Sequence, residues 1–581
     1  MSQRVSERVT VLLVAAGLPV AAMAQGDPLE QPWASSQSFT SLRGATAWQA
    51  IGVQDNGLLG LSVSVVGDVN GDGVGDAIFG APAVGVDGLV FAGEAYIVFG
   101  VDGGLPRFDS VSSLDGSNGF TFRGASAEDS LGRATGSGDF NGDGISDVVI
   151  GAPTADSGSS RSGESYVVFG RSDGFPASLG PDDLDGANGF RIPGAVGREF
   201  SGTGVAGVGD LNGDGVDDLM IGTANTTGSG ATGVAKVYVV FGSRDGFDPV
   251  VPLSDIDGSN GFRITTDNPG FILGEFLDSA GDVNGDGLDD AIIGINPIVV
   301  FGRTDAFPAT LRLSDLDGTN GFAMTGAYGA VSTAGDINGD GIDDIAIGAP
   351  YSGDIGDGFR TQGYAYVLFG RSAGFPPLVD LRSLDGSDGF RMDGATNEDQ
   401  AGDSLAGGGD LNGDGFDDLV VGAPGTGYQY SCYYCGDYNP AEGSAYVFYG
   451  RDSGFVAVIQ LADVSADSVV RFEGPRDSQM ATSLSGMTDF NGDGRSDFLL
   501  GAIDGSTTPT RGPGWGMVIY GRGATPCPAD LDGDGELTIF DFLAFQIFFD
   551  TMDPRADFDG DGDFTIFDFL AFQTAFDVGC P

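Results

Sequence analysis

The 581-residue chain contains no histidine, and Lys236 is its only lysine. These absences exclude histidine-based catalytic triads, histidine-ligated zinc sites and histidine general bases. Catalysis by carboxylates alone, as in glycosidases, stays open. The sequence contains no nucleophile elbow, P-loop or other motif that is specific to one reaction, so we expect no enzyme activity.

Positive charge is also scarce, because 26 basic residues face 83 acidic ones and the formal net charge is −57. Nucleic acids and anionic membranes attract basic surfaces, so this balance argues against both as partners. An acidic chain is suited to binding cations. A solvated acidic surface accounts for part of the charge as well.

Long apolar runs are missing except at the N-terminus. Residues 9–24 form an apolar stretch that follows Arg4 and Arg8 and ends in small residues. This pattern predicts a secretory signal peptide over residues 1–24, cleaved after Ala24, with an uncleaved anchor as the alternative. No later run is long enough to cross a bilayer. We therefore expect a secreted or cell-surface protein without a transmembrane segment.

Cysteine is rare, and the four cysteines fall into two pairs. Cys432 and Cys435 form a C-x-x-C, whereas Cys527 and Cys580 bracket the C-terminal segment. In an exported chain such pairs predict disulfides. A redox motif or zinc ribbon is the alternative for the first pair, but the chain has neither a second C-x-x-C nor histidine. A small loop-closing disulfide is therefore favoured.

Glycine, in contrast, is abundant at 102 residues, and much of it belongs to a repeat. The nine-residue pattern D-x-N-G-D-G-x-x-D occurs seven times. Its copies begin at Asp68, Asp139, Asp210, Asp282, Asp336, Asp410 and Asp489. Self-similarity at intervals of this size indicates a solenoid, a propeller or another repeat array.

Each repeat unit has the pattern of four short strands. A run of small residues precedes the nine-residue loop, and an apolar strand ending in Gly-Ala-Pro or a variant follows it. An aromatic strand ending in Phe-Gly or Tyr-Gly comes next, and a turn such as LDGSNGF leads into the fourth strand. Seven such units without helical periodicity predict an all-β, seven-bladed β-propeller over residues 38–522, after an N-terminal leader at 25–37.

The chain ends of this propeller suggest how the ring closes. Residues 38–45 resemble a fourth strand but precede any first strand, and the last unit stops after its third strand near Tyr520. We therefore expect an N-terminal strand to complete the last blade, which would also cover its exposed edge.

The Phe-Gly, Gly-Ala-Pro and D-x-N-x-D-G-x-x-D motifs together resemble FG-GAP repeats. Such repeats form the head of integrin α-subunits and occur in many exported bacterial proteins. The resemblance covers roughly residues 38–522. It implies that each loop joins the first two strands of a blade and binds calcium. It also implies a role in adhesion or in recognition of an extracellular protein or glycan.

The loop chemistry agrees with calcium, which takes about seven hard oxygen ligands. An EF-hand would need a carboxylate at position 12, where the first copy has Phe79 and the others also have apolar residues. The site must therefore close within nine residues, through side chains at positions 1, 3, 5 and 9 and the carbonyl at position 7. A metal-free turn rich in Asp and Asn is the alternative.

The predicted ligands in the first four copies are Asp68, Asn70, Asp72, Val74 and Asp76; Asp139, Asn141, Asp143, Ile145 and Asp147; Asp210, Asn212, Asp214, Val216 and Asp218; and Asp282, Asn284, Asp286, Leu288 and Asp290. In the last three copies they are Asp336, Asn338, Asp340, Ile342 and Asp344; Asp410, Asn412, Asp414, Phe416 and Asp418; and Asp489, Asn491, Asp493, Arg495 and Asp497.

Two loops near the C-terminus differ from these. Residues 530–541 and 557–568 have twelve positions, Gly at position 6 and Asp at position 12, as EF-hand-type loops do. Their predicted ligands are Asp530, Asp532, Asp534, Glu536, Asp541, Asp557, Asp559, Asp561, Asp563 and Asp568. Each loop leads into a short phenylalanine-rich helix.

This segment, residues 527–580, resembles a dockerin, a duplicated calcium loop and helix that docks on a cohesin domain. Cys527 and Cys580 could clasp its ends. The positions where dockerins often read their partner hold Ile539, Phe540, Ile566 and Phe567, which are apolar instead of the common Ser/Thr pair. A plain calcium-stabilised cap is the alternative.

One propeller connection is unusual. In the sixth unit, residues 425–443 link the second and third strands and contain Tyr428, Tyr430, Tyr433, Tyr434 and Tyr438. Such aromatic groups suit ligand recognition, and a disulfide would hold them in place, although packing on the rim is an equal alternative. Among three functional hypotheses, we favour a non-catalytic adhesion or scaffold protein. A carbohydrate-active enzyme tethered by its dockerin-like module and a structural surface-layer component are the others.

Overall fold

The computed structural model describes the propeller region almost completely. It covers residues 36–38, 47–104, 110–156, 159–224, 234–266, 268, 273–353, 361–396, 399–425, 443–463, 469–475, 478–503 and 512–522, with parts of 545–573. The chain divides into two compact units. Trp33–Gly521 forms one, and the described C-terminal residues belong to the other.

The larger unit is an all-β, seven-bladed β-propeller, as predicted. Seven separate sheets each contain four strands that pair antiparallel in sequence. Blades 1 to 3 consist of Ser62–Val65, Ala77–Ala81, Glu94–Val98 and Gly119–Arg123; Ala134–Gly138, Asp147–Ala152, Glu164–Val168 and Gly189–Pro193; and Val205–Gly207, Leu219–Gly222, Lys236–Val240 and Gly261–Thr265.

Blades 4 to 6 continue the same pattern. They consist of Leu277–Gly281, Asp290–Ile293, Ile298–Val300 and Gly321–Thr325; Val331–Gly335, Asp344–Ala349, Tyr364–Leu368 and Gly389–Asp393; and Leu405–Gly409, Asp418–Ala423, Ser444–Phe448 and Val469–Glu473. Blade 7 has Met480–Thr488, Asp497–Ala502 and Trp515–Ile519 as its first three strands.

The fourth strand of blade 7 comes from the other end of the chain. Ala47–Ile51 pairs antiparallel with Trp515–Ile519, from Ala47 opposite Ile519 to Ile51 opposite Trp515. The sequence pattern placed this strand at residues 38–45, of which 39–45 lie outside the described residues and Ser38 belongs to a strand that pairs with blade 6. The strand that the structure describes here begins at Ala47.

The second strand is completely buried in all seven blades. All six residues of Asp147–Ala152 are buried, because this strand lies between the first and third strands and both of its faces pack against neighbouring blades. This environment explains why the strand after each loop is continuously apolar instead of alternating.

Five blades have a fifth strand that the sequence pattern does not predict. Short parallel strands extend blades 1, 3, 4, 5 and 6; they are Ser178–Leu179, Thr310–Arg312, Leu378–Asp380, Val458–Gln460 and Ser36–Ser38. The first four come from the connection between strands three and four of the following blade. In blades 1 to 5 the connection between strands three and four contains a 3-10 helix, at Val111–Ser113, Pro181–Asp183, Leu253–Asp255, Leu313–Asp315 and Leu381–Ser383.

The blades are joined by repeated groups of three phenylalanines. Between blades 1 and 2, Phe120 stacks on Phe175 with ring centroids 4.4 Å apart, and Phe99 lies 6.2 and 5.8 Å from them. The Arg171 guanidinium covers Phe175 at 4.5 Å. Four further junctions repeat this group; their stacked pairs are Phe190–Phe247, Phe262–Phe307, Phe322–Phe375 and Phe390–Phe455.

The junctions that flank blade 7 differ from these five. The position equivalent to Phe120 holds Val470 in blade 6 and Trp48 in blade 7. Trp48 contacts Phe79 at 5.9 Å and Phe490 at 6.2 Å instead of completing a phenylalanine stack. The three-phenylalanine group of the other junctions is therefore replaced by different aromatic contacts at blade 7, among them the edge-on pair of Phe472 and Phe498 at 5.7 Å.

The described part of the C-terminal unit contains a small aromatic core. Residues 545–546, 548–549 and 568–573 are helical. Phe545 stacks on Phe572 at 4.6 Å, and Phe558 meets Phe572 edge-on at 5.3 Å. Both Phe545 and Phe572 are buried.

The stacked phenylalanines predict a local stability effect. We expect Phe175→Ala to lower the free energy of unfolding by about 3–4 kcal/mol, because it removes a buried ring and leaves a cavity between two blades. Phe91→Ala is the control, since Phe91 is 49% exposed, and should cost less than about 0.5 kcal/mol. Denaturant titration of both variants measures the difference; equal losses would contradict the role of the stack.

Candidate functional site

The seven nine-residue loops lie where the sequence placed them, between the first and second strands of each blade. In every copy the Asp at position 1 accepts backbone N–H groups from within its own loop. In the first copy, Asp68 Oδ1 accepts from Asp72 at 3.0 Å and Oδ2 accepts from Gly73 at 2.7 Å. The side chain therefore pulls the loop into a tight turn around its carboxylate.

Position 5 continues this arrangement. Asp72 Oδ1 accepts the N–H of Val74 at 2.9 Å, and the other six loops repeat this bond. Gly71 and Gly73 have φ values of 75° and 90°, a left-handed region in which a side chain would be strained. This backbone explains the Gly-Asp-Gly of the motif.

The Asp at position 9 differs, because it is completely buried in all seven blades. Its Oδ1 accepts the N–H of the glycine in the Phe-Gly motif; in blade 1 the bond from Gly100 to Asp76 is 2.8 Å. The same bond occurs in the other six blades. In most blades Oδ2 accepts from position 2, as from Val69 at 2.9 Å. The two signature motifs of the repeat are thus bonded to each other.

Burial raises the pKa of these position-9 carboxyls. For Asp147, Asp218, Asp290 and Asp344 the pKa is about 8, and for Asp76, Asp418 and Asp497 it is well above its usual range. Desolvation is the largest cause, and the negative charges at positions 1 and 5 add to it. The pKa of each position-9 carboxyl therefore depends on the charges of the two other Asp side chains in its loop.

The loops also connect neighbouring blades. At six of the seven junctions the position-8 N–H of one loop donates to the position-1 carbonyl of the preceding loop, as from Ser146 to Asp68 at 3.0 Å. At four junctions the position-8 residue is Asp, and its carboxylate accepts the position-1 N–H in return. These pairs are Asp139–Asp217, Asp210–Asp289, Asp282–Asp343 and Asp336–Asp417.

The donor set of each loop fits a hard cation, because it consists of carboxylate, carboxamide and carbonyl oxygens. One buried oxygen, Asp218 Oδ2, has no partner with full hydrogen-bond geometry among the described residues, although the backbone N–H of Leu211 interacts with this carboxylate, and it lies at the position where a ligand is expected. However, the described residues contain no group of three or more carboxylates already gathered around one point. The position-1 and position-9 carboxylates are occupied by backbone N–H donors instead.

Other predicted features lie outside the described residues. They are the signal segment 1–24, the cysteines Cys432, Cys435, Cys527 and Cys580, the tyrosines of 425–443, the docking positions Ile539, Phe540, Ile566 and Phe567, and every predicted C-terminal ligand except Asp568. Asp568 is buried and accepts the N–H of Thr565 at 2.7 Å.

Comparison with known families agrees with this geometry. The model described as "FG-GAP repeat" matches residues 131–168, 328–368 and 401–448, which lie in blades 2, 5 and 6. The chain is a β-propeller in which three of the seven repeats match the FG-GAP family.

Several curated proteins resemble parts of this FG-GAP propeller. Integrin alpha-PS2 of Drosophila melanogaster is 34% identical over 28% of this chain, integrin alpha-4 of Xenopus laevis 27% over 33%, and phosphatidylinositol-glycan-specific phospholipase D of Dictyostelium discoideum 26% over 61%. The matches cover 12%, 16% and 38% of those proteins. The FG-GAP propeller thus corresponds to less than two fifths of each relative. None of the helical residues that the structure describes forms a stretch long and apolar enough to span a bilayer.

The FG-GAP propeller also has a central channel, a cavity of about 470 Å³ lined by the first strands. At its mouth, Arg133, Glu275 and Asp403 each precede the first strand of their blade. Burial raises the pKa of Asp403 to about 6. Deeper in the channel, burial raises the pKa of Asp278 to about 6 despite hydrogen bonds that lower it.

The Asp403 carboxyl predicts a pH-dependent stability change. Its pKa is about 6 in the folded FG-GAP propeller and about 3.9 in an unfolded chain. The cost of burying its charge is therefore fully present above pH 6 and is lost below about pH 4. We expect Asp403→Asn to raise the free energy of unfolding by about 1–2 kcal/mol near pH 8, with some of the full shift screened by solvent.

Thermal unfolding near pH 8 and near pH 4 tests this expectation. The gain should nearly vanish in acid, whereas Asp173→Asn, at a side chain that is 86% exposed, should change stability little at either pH. A gain of equal size at both pH values would contradict the effect of charge burial.

Proposed function

We propose that the chain is a secreted, calcium-binding FG-GAP propeller that acts in adhesion or in recognition of an extracellular protein or glycan. The observation that supports this most directly is the difference between the two faces of the ring. One face carries the repeated, hydrogen-bonded loops. The other carries the connections from strand two to three and from strand four to the next blade, which vary in length and sequence.

Exposed aromatic groups favour the second face as the recognition surface. Phe91 and Tyr351 lie on connections between strands two and three, and Tyr328 precedes the first strand of blade 5; they are 49%, 67% and 47% exposed. Val90 and Val196, 59% and 52% exposed, lie on the same face. Exposed aromatic side chains with polar neighbours are effective contact groups in recognition surfaces.

The tyrosine-rich segment 425–443 joins strands two and three of blade 6, so topology assigns its ends to this face as well. We propose that its tyrosines contribute to ligand contact. The relatives named integrin alpha agree with a role in adhesion. We propose that the propeller is non-catalytic. The alternative is an enzyme, because one relative is named a phospholipase D, and measured turnover of a substrate would reveal it.

We further propose that residues 527–580 form a dockerin-like module that binds calcium and attaches the propeller to a surface or multiprotein complex. The aromatic core of Phe545, Phe558 and Phe572 and the buried Asp568 support a compact module. A cohesin-like domain is the proposed partner, and export through the signal peptide would place both outside the cell.

Recognition by this face can be tested with binding screens. The mature protein, with calcium present, is applied to a glycan array and to immobilised extracellular proteins, and polysaccharide turnover is recorded in parallel. We expect a ligand whose affinity falls at least about tenfold, or 1.4 kcal/mol, in Phe91→Ala/Tyr351→Ala. Leu378→Ala, which changes a 57% exposed side chain outside this face, should bind normally. Equal loss in the control, or turnover of a substrate, would contradict the proposal.

Calcium binding by the loops predicts a strong effect of metal removal. A ligand at one hundred times its Kd stabilises the folded state by about 2.7 kcal/mol per site, so chelation should lower Tm by several degrees. The loss should be restored by calcium, and less well by magnesium, which requires stricter geometry. Scanning calorimetry with and without chelator measures this, and an unchanged Tm would rule out the proposed sites.

A further inference from the structure

Each nine-residue loop contains an Asn-Gly step at positions 3 and 4, a sequence with its own chemistry. The backbone nitrogen of the residue after asparagine can attack the side-chain Cγ, forming a five-membered succinimide and releasing ammonia. Water then opens the ring to aspartate or isoaspartate. Glycine favours the attack because it has no Cβ to obstruct the ring. The reaction needs no enzyme and no oxidant.

The structure divides the seven steps into two classes. In blades 1, 3, 6 and 7 the glycine N–H donates to Oδ1 of the position-1 Asp. These bonds, from Gly71, Gly213, Gly413 and Gly492, are 2.6–2.7 Å long. A nitrogen that holds this bond keeps its proton and its orientation toward the carboxylate. It must break the bond before it can attack.

The glycines of blades 2, 4 and 5 have no such bond. Gly142, Gly285 and Gly339 find no acceptor for their N–H among the described residues, although the position-1 Asp still accepts from positions 5 and 6. The Nδ2 of Asn284 and Asn338 donates to the position-9 carboxylate, with bonds of 3.0–3.4 Å, but Asn212 makes the same bond at 3.2 Å, so this contact does not separate the two classes. These three loops leave the glycine nitrogen available. The carboxamide of Asn141 is held at both ends, because its Oδ1 accepts the N–H of Asp143 at 2.8 Å and its Nδ2 donates to Asp147 at 3.4 Å, so we expect it to be the slowest of the three.

We propose that Asn141, Asn284 and Asn338 are sites of spontaneous deamidation in the folded protein, and that the other four loops are protected by their glycine hydrogen bond. In each step the bond from Cγ to Nδ2 breaks, the bond from Cγ to the glycine nitrogen forms, and ammonia leaves. Addition of one water opens the succinimide. Each event replaces a neutral carboxamide with a carboxylate.

The product changes the loop in a defined way. A position-3 aspartate adds one negative charge beside the carboxylates of positions 1 and 5, in a chain whose net charge is already −57. Isoaspartate also inserts one methylene into the backbone of a turn that depends on two left-handed glycines. Three of the seven loops would thus diverge chemically from the others as the protein ages. This inference does not rest on calcium binding.

The chain supplies internal controls with the same dipeptide. Asn118, Asn188, Asn260 and Asn320 also precede glycine, in the turns before the fourth strands. Their Oδ1 accepts a backbone N–H and their Nδ2 donates to a backbone carbonyl, as in the 3.0 and 2.8 Å bonds of Asn188. Both ends of the carboxamide are therefore held, and we expect slow reaction there.

The test is incubation of the intact folded protein in water enriched in oxygen-18 at mildly alkaline pH, followed by peptide mass spectrometry. The heavy label distinguishes deamidation during incubation from modification already present. We expect Asn284 and Asn338 to deamidate about tenfold faster than Asn70, Asn212, Asn412 and Asn491, which corresponds to about 1.4 kcal/mol for the protecting bond, and Asn141 to react at a rate between the two groups. Protein unfolded in denaturant should show similar rates at all these sites.

Two replacement sets provide an independent charge readout by isoelectric focusing. Asn141→Gln/Asn284→Gln/Asn338→Gln should remove most of the acidic species that form on storage. Asn70→Gln/Asn212→Gln/Asn412→Gln/Asn491→Gln should leave them. Because both sets replace predicted calcium ligands, the two variants are compared with each other at a temperature well below both of their Tm values. Equal rates in all seven loops of the folded protein, or faster reaction in blades 1, 3, 6 and 7, would overturn the proposal.

Discussion

The propeller depends on one buried contact that occurs seven times. The carboxylate at loop position 9 accepts the N–H of the glycine that ends the third strand, and that glycine has no room for a side chain. A Cβ on Gly100 would lie 2.1 Å from the carbonyl oxygen of Gly75. The contact holds the loop against the blade and fixes where the next connection begins. Burying a charged or protonated carboxyl without donors would cost several kcal/mol, so the bonds are a condition of the fold.

This contact explains why the architecture could be predicted from sequence. The D-x-N-x-D-G-x-x-D and Phe-Gly motifs are far apart in the sequence of each unit but contact each other in the structure. Each motif therefore marks one partner of the same hydrogen bond. The number of blades and the order of the four main strands could be predicted from the positions of these motifs. The fifth strands and the phenylalanine stacks did not, because both depend on the following blade. Ser178 and Phe175 have no local pattern that points to a strand or ring in blade 1.

The site was predicted less completely than the fold. The residues that were expected to hold a cation are the residues that organise the loop, and the structure shows their hydrogen bonds to backbone N–H groups. Sequence reasoning could not separate these roles, because an oxygen that suits a cation also suits an N–H donor. Position 8 was missed altogether, since its Asp acts across a blade junction. Its four copies, at Asp217, Asp289, Asp343 and Asp417, form a run around one side of the ring.

The pairing of Ala47–Ile51 with Trp515–Ile519 has a consequence for synthesis on the ribosome. Ala47–Ile51 emerges before blades 1 to 6 but must wait unpaired until nearly the entire propeller has been made, because its partner is more than 450 residues away. Blades 1 to 6 can pack in order as they appear, but blade 7 lacks its outer strand until the two ends meet. During that interval an open strand edge is exposed to other chains. The ring therefore gains its continuity last, at blade 7.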